Sequence, residues 1–150
     1  MQPRELNLPH FQAVQEEVKK LHENGYDRAG NWDLAQNLQH LSYFMKGALE
    51  GYSFRVPWFV KKLFGNYFKN KILKSRRMKR GVYTPQNPLP ASNLDEAEVV
   101  TDFLHLLDRF DKHPGEYQES PFFGKMSRDE CRALNLIHCN HHLAFLLPRG

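Results

Sequence analysis

Three histidines crowd the last predicted helix of the chain, in the run Ile137-His138-Cys139-Asn140-His141-His142-Leu143. His138 and His142 stand four apart, a spacing that on an α-helix puts both imidazoles on one face about one turn, roughly 6 Å, apart. At that separation both can reach one transition-metal ion, and a third ligand from elsewhere would complete a site. Taking His138 as zero and stepping about 100° per residue, Cys131 falls at about 20°, Leu134 at about −40°, His142 at about 40° and Phe145 at about −20°. The pair therefore lies in the middle of an apolar stripe, with His141 at its edge and Asn140 on the far side. Imidazoles buried among leucine and phenylalanine are costly unless each finds a partner, and a shared ion satisfies both. Ordinary helix histidines bonded to backbone or solvent are the competing reading, and spacing alone leaves the two about even.

The other histidines decide whether a third ligand exists. His10, His22, His105 and His113 lie near predicted helix ends or beside charges, positions typical of solvated side chains. His40 is mid-helix in Leu38-Gln39-His40-Leu41, with Gln36, Asn37, Phe44 and Gly47 on its side. That polar patch flanks an apolar stripe, which suits a site at the mouth of a helical bundle. Thiolates also bind zinc, but Cys131 stands seven residues from His138, about 10 Å along the helix, and Cys139 points about 100° off. Both read as small buried hydrophobes. Eight residues apart on one helix, about 12 Å, they are too far from each other for a disulfide, so a reducing cytosol is the expected compartment.

The elements that must position these groups read as helix after helix. Phe11, Val14, Val18 and Leu21 recur at three and four, giving a helix near residues 7 to 23 stopped by Gly25. Asn31 or Asp33 can cap a second helix from about 32 to 50, carrying Leu34, Leu38, Leu41, Phe44, Met45, Ala48 and Leu49 and ending at Gly51. Pro57 suits the first turn of a third, around 57 to 76, whose Trp58, Phe59, Val60, Leu63, Phe64, Tyr67, Phe68, Ile72 and Leu73 spread over more than one face and so call for cover on several sides. Gly81 to Asn93, with Pro85, Pro88 and Pro90, reads as an extended surface connection. Asn93 or Ser92 can cap a fourth helix bearing Val99, Val100, Phe103, Leu104, Leu106, Leu107 and Phe110, terminated by Pro114-Gly115. Ser127-Arg128-Asp129-Glu130 has capping-box spacing and opens a fifth helix running to about Leu147. No internal repeat and no convincing β-alternation is present, so the expected fold is an all-α helical bundle.

A length of 150 residues suits one domain over 1–150 with a full hydrophobic core. No stretch approaches the roughly 20 apolar residues that span a bilayer, and the start Met1-Gln2-Pro3-Arg4-Glu5 does not read as a secretory signal, so the expectation is a soluble cytoplasmic protein. The net charge of +4 is unevenly placed: Lys61, Lys62, Lys69, Lys71, Lys74, Arg76, Arg77, Lys79 and Arg80 share the segment 61–80 with no acidic residue. Such a run can contact nucleic acid or an anionic membrane. The plainer reading, given the greater weight, is a solvated helix face balanced by acidic segments such as Asp95-Glu96-Ala97-Glu98.

Trp32-Asp33-Leu34-Ala35-Gln36-Asn37-Leu38-Gln39-His40-Leu41, then Pro121-Phe122-Phe123-Gly124-Lys125-Met126-Ser127, then His138-x-x-His141-His142-Leu143, together resemble the DinB-like (DinB/YfiT) superfamily of presumed metalloenzymes, in an uncharacterised branch. The likeness covers essentially the whole chain. It implies an up-and-down four-helix bundle, here with an additional helical segment, holding a mononuclear metal through one histidine of the second helix and two, four apart, of the last. Carried over, the ligands are His40, His138 and His142, the trio that the helical faces also favour. The chain departs from the pattern at Cys139, where many members have an acidic residue, and at Ser120, where some have a histidine.

Three neutral imidazoles leave a coordination position open, as in catalytic and not closed structural sites. Zinc or nickel suits nitrogen donors, with iron and manganese as alternatives. An open position can hold water or a substrate thiolate, either of which supplies a nucleophile. The resemblance implies a metal-dependent transferase using a low-molecular-weight thiol, or a hydrolase, and a homodimer. Gln36, Asn37 and His141 are candidate polar contacts to ligands or substrate, and Phe122 and Phe123 a candidate lid, against capping, surface and core-packing roles respectively. A non-catalytic metal-binding bundle and an interaction module using segment 58–80 are the alternatives.

Overall fold

Regular apolar spacing along four long helices builds one buried cluster, from Phe11, Val14, Val18 and Leu21 on the first, Leu34, Leu38, Leu41 and Met45 on the second, Val100, Phe103, Leu107 and Phe110 on the next, and Cys131, Cys139 and Leu143 on the last. Each such large side chain contributes about 1.5–3 kcal/mol through the apolar surface it removes from water. The computed structural model describes residues 1–80 and 89–150. In chain order they form α1 (Phe11–Asn24), β1 (Tyr26–Arg28), α2 (Leu34–Glu50), α3 (Trp58–Val60), a π-turn (Lys61–Gly65), α4 (Asn66–Ser75), α5 (Glu96–Asp111), α6 (Arg128–Leu143) and β2 (Leu146–Pro148). Helix α2 packs on α5 and α6, and α1 packs on α5. The fold is thus mostly helical with one small sheet. Among the described residues no helix is long and apolar enough to cross a membrane. Most of the expected connection over 81–93 lies outside the described residues.

Local chemistry sets the helix starts. Asp33 Oδ1 accepts the Gln36 amide at 2.8 Å while Gln36 Oε1 accepts the Asp33 amide at 3.1 Å, a reciprocal cap that opens α2. Ser127 and Glu130 do the same for α6, as their spacing predicts. Helix α1 begins later than the apolar period suggests, because His10 is extended and its Nδ1 accepts the Ala13 amide at 3.1 Å. Helix α5 also begins later: Asp95, not Ser92 or Asn93, accepts the Glu98 amide, and Asn93 instead takes a left-handed conformation, φ 59°.

Two expectations fail on tertiary grounds. The fifth helix does not reach Leu147, for α6 ends at Leu143 and the chain turns into β2, which pairs antiparallel with β1 in the register Tyr26↔Pro148, Asp27↔Leu147, Arg28↔Leu146. Leu146 is fully buried there, and Pro148 lacks the amide a helix would need. Three-residue strands carry too little alternation to be legible in sequence. This ribbon, with the Ala29 amide donating to Phe145 O at 2.8 Å, bolts the end of α6 to the turn that feeds α2.

The third helical segment spans 58–75 much as its sequence predicts, with the π-turn inside it, but it is not covered: Trp58, Phe59, Leu63, Phe64, Tyr67 and Phe68 are all exposed. Its inward side is narrow. Gly65 approaches the loop so closely that a Cβ there would lie 2.8 Å from Phe122 O, and Lys69 is buried with its Nζ 3.1 Å from Glu130 Oε2 on α6. A glycine and a lysine on the inner face leave the aromatic rings to the outer one.

Candidate metal centre

His40 comes from the middle of α2, while His138 and His142 come one turn apart near the end of α6. Direct packing of α2 on α6, with the β1–β2 ribbon fixing the end of α6, brings the three rings together. One ring nitrogen from each lies within 4.8 Å of the others. His40 Nε2 and His138 Nε2 are 3.2 Å apart. Two nitrogens bonded tetrahedrally to one zinc at roughly 2.05 Å stand about 3.3 Å from each other, so this edge already has the length that a shared ion requires. The donor set, three imidazole nitrogens, therefore fits a divalent transition metal. Without an ion, a proton shared between the two nitrogens is the alternative use of so short a contact.

Burial keeps these imidazoles neutral, the form that can donate a lone pair. His40 is 6 % exposed, and its pKa is pushed down to about 4, chiefly by burial and further by His141. His138 and His142 are held well below the usual histidine range, again mainly by burial and then by the neighbouring histidines. Both keep part of their surface exposed, so the group is closed on the core side only.

The tautomer of His142 is set by Asn37. The Asn37 Nδ2 group donates to Asp33 O at 2.8 Å and to Trp32 O at 3.4 Å, which turns Oδ1 toward His142 Nδ1 at 3.0 Å. An amide oxygen only accepts, so Nδ1 must carry the proton and Nε2 the lone pair. Aromatic rings wall the group. Trp32 stacks on His142 at 5.6 Å between centroids, 8° from parallel, and leans on His40 at 5.0 Å. Phe44 meets His40 and His138 edge-on at 5.1 and 5.0 Å.

A family described as a protein of unknown function (DUF1569) matches residues 1–149. The chain belongs to the DUF1569 family. No curated protein and no solved structure matches it.

Of the residues singled out in this DUF1569 chain, His40, His138 and His142 are the ones brought within a few ångströms of each other. Asn37 touches the group directly, whereas Gln36 is occupied by the α2 cap and by the Ala91 carbonyl at 3.4 Å. His141 borders the group with its ring centroid 5.2 Å from that of His142, and Arg80 lies close to it, its guanidinium 5.0 Å above the Phe145 ring that His141 also contacts. Phe122 reaches Phe44 at 6.5 Å and Phe54 at 5.5 Å, with Phe123 behind it. Their loop is closed by paired Ser120 and Gly124 backbone bonds, and Ser120 Oγ accepts the Phe122 and Phe123 amides.

Burial pushes the Cys131 thiol up to about 11 and that of Cys139 higher still, so neither is a thiolate near neutral pH. Sequence reasoning placed Trp32 only at the head of a motif and Arg80 only in a basic run, and missed both as neighbours of the site. Their contacts depend on how segments outside α2 and α6 fold back onto the histidines.

Proposed function

We propose that His40, His138 and His142 bind one divalent transition metal in a mononuclear site with an open coordination position, and that the chain is a metal-dependent enzyme of hydrolytic or thiol-transfer type. The observation that carries this reading is the clustering of three neutral imidazoles, from helices almost a hundred residues apart in sequence, within 4.8 Å. Four long helices sharing one core support the finer reading of a DinB-like bundle, which the sequence motifs also suggest. Zinc or nickel is the favoured ion because all three donors are nitrogen.

When bound, such an ion supplies Lewis acidity to a water or thiol at its open position. The chain's own residues do the rest. Asn37 fixes the His142 proton on Nδ1, and Trp32 and Phe44 hold the rings and keep bulk water from the core side. His141 and Arg80 present polar and positive groups at the rim, where an anionic or thiol-bearing small molecule would be held.

Elemental analysis of the purified protein tests the reading. About one equivalent of metal in the parent, and little in His40→Ala or His142→Ala, is the expected result; unchanged content in both folded variants would remove the site. Because the trio joins α2 to α6, a purely structural ion is the second reading. A large drop in melting temperature on chelation, with no turnover of thiol-conjugation or hydrolytic substrates, would favour it.

A further inference from the structure

Six of the eight large hydrophobic side chains exposed among the described residues lie within eleven consecutive positions: Trp58 at 70 %, Phe59 at 52 %, Leu63 at 68 %, Phe64 at 53 %, Tyr67 at 62 % and Phe68 at 49 %. Their summed surface passes the few hundred square ångströms that a soluble monomer ordinarily leaves open, so the face calls for a partner. We propose that the outer face of α3, the π-turn and α4 lies on an anionic lipid surface.

The charge pattern selects that occupant. From Gly51 to Leu94 the sequence holds no aspartate or glutamate. Lys61 and Lys69 turn inward to Glu119 and Glu130, which anchors the segment to the body of the protein. Lys62, Lys71, Lys74, Arg76 and Arg77 stay exposed on or just beyond the same helical segment. Lys62 stands 6.0 Å over the Trp58 ring and Lys71 6.0 Å over the Tyr67 ring, so cations and aromatics are interleaved on one surface.

A helix with tryptophan, phenylalanine and leucine among lysines is the composition that sinks its rings to the headgroup boundary while its ammonium groups meet lipid phosphates. A second copy of this face would bring lysine against lysine. Single-stranded nucleic acid is bound by stacking platforms inside grooves, whereas this surface is the outside of a helix and includes Leu63, which offers no ring to stack on.

The experiment is vesicle co-sedimentation of the full chain with phosphatidylcholine vesicles, with and without phosphatidylserine, at low and high salt. The expected result is binding to the phosphatidylserine vesicles, weakened by salt, with a blue shift of tryptophan emission. Replacing Lys62, Lys71 and Lys74 by Gln should lower the partition coefficient on the order of 100-fold. Trp58→Ser with Phe64→Ser should abolish binding and the emission shift. Circular dichroism and metal content unchanged in both variants separate this result from any failure of the histidine site. No binding by the parent at low salt, or equal binding by parent and variants, would overturn the proposal. So would a dimer dissociated by the Trp58 and Phe64 changes, or RNA binding lost with the lysines, in protein that ignores vesicles.

Discussion

Replacing Asn37 by leucine removes one hydrogen-bond partner of the candidate metal centre while leaving every candidate ligand in place. Asn37 is 2 % exposed, and its Oδ1 takes the His142 Nδ1 proton at 3.0 Å while its Nδ2 serves Asp33 O. Leucine keeps the same branched skeleton of heavy atoms, with two bulkier methyl groups in place of the amide oxygen and nitrogen, and has no acceptor. In the metal-free protein His142 Nδ1–H loses its acceptor, while Asp33 O loses one of two donors and keeps the Asn37 backbone amide at 3.1 Å, at a cost of about 1–3 kcal/mol in stability.

In the metal-bound protein the imidazole is no longer held in the tautomer that points its Nε2 lone pair at the group. Loss of such an orienting partner lowers metal affinity about 10- to 100-fold, or about 1.4–2.7 kcal/mol. Competition for zinc or nickel against a chromophoric chelator near neutral pH reads the affinity, and urea unfolding of the chelated protein reads the stability. Asn37→Asp keeps an acceptor at Oδ1, so it should retain affinity despite losing the donation to Asp33 O. A folded leucine variant that binds metal as tightly as the parent would show that Asn37 does not set the His142 tautomer.

Chelated protein should lose stability as pH falls from about 6.5 toward 4. Unfolded histidine titrates near 6.5, whereas folded His40 titrates at about 4, so across that window the unfolded chain binds the proton that the folded one refuses. His40 alone accounts for up to about 3 kcal/mol, with His138 and His142 acting in the same direction; urea midpoints that stay level over this range would contradict the neutral buried cluster. Gly65→Ala forces a methyl to within 2.8 Å of Phe122 O and should cost about 1–3 kcal/mol, measurable as a lower melting temperature, with faster proteolysis of the 58–80 segment. Cys131 and Cys139 should resist a thiol reagent at pH 7 until urea unfolds the chain, since both are buried and protonated; rapid labelling of native protein would show that α6 opens locally.

The sequence by itself determined whatever depends on neighbours within a turn or two. His138 and His142 share a face because four residues make about one helical turn, and Ser127 with Glu130 caps α6 because three residues separate the groups that must exchange bonds. The apolar periods of α1, α2, α5 and α6 foretold the core, for burial follows from a helix having one side to hide. His40 was legible as a polar interruption in the middle of a helix, and the family resemblance grouped it with His138 and His142, but no local spacing fixed the distance between them.

Only tertiary packing decided the rest. The 3.2 Å between His40 and His138 exists because α2 lies on α6, and the β1–β2 ribbon that ends α6 at Leu143 pairs residues more than a hundred positions apart. Stacking of Trp32 on His142 depends on that same crossing. The outward turn of Trp58 to Phe68 follows from which side of the segment Gly65 and Lys69 could press against the body. Short-range geometry is fixed by bond lengths and helical pitch, which any local stretch carries with it. Contacts between distant segments depend on how whole faces compete for burial, which no local stretch contains.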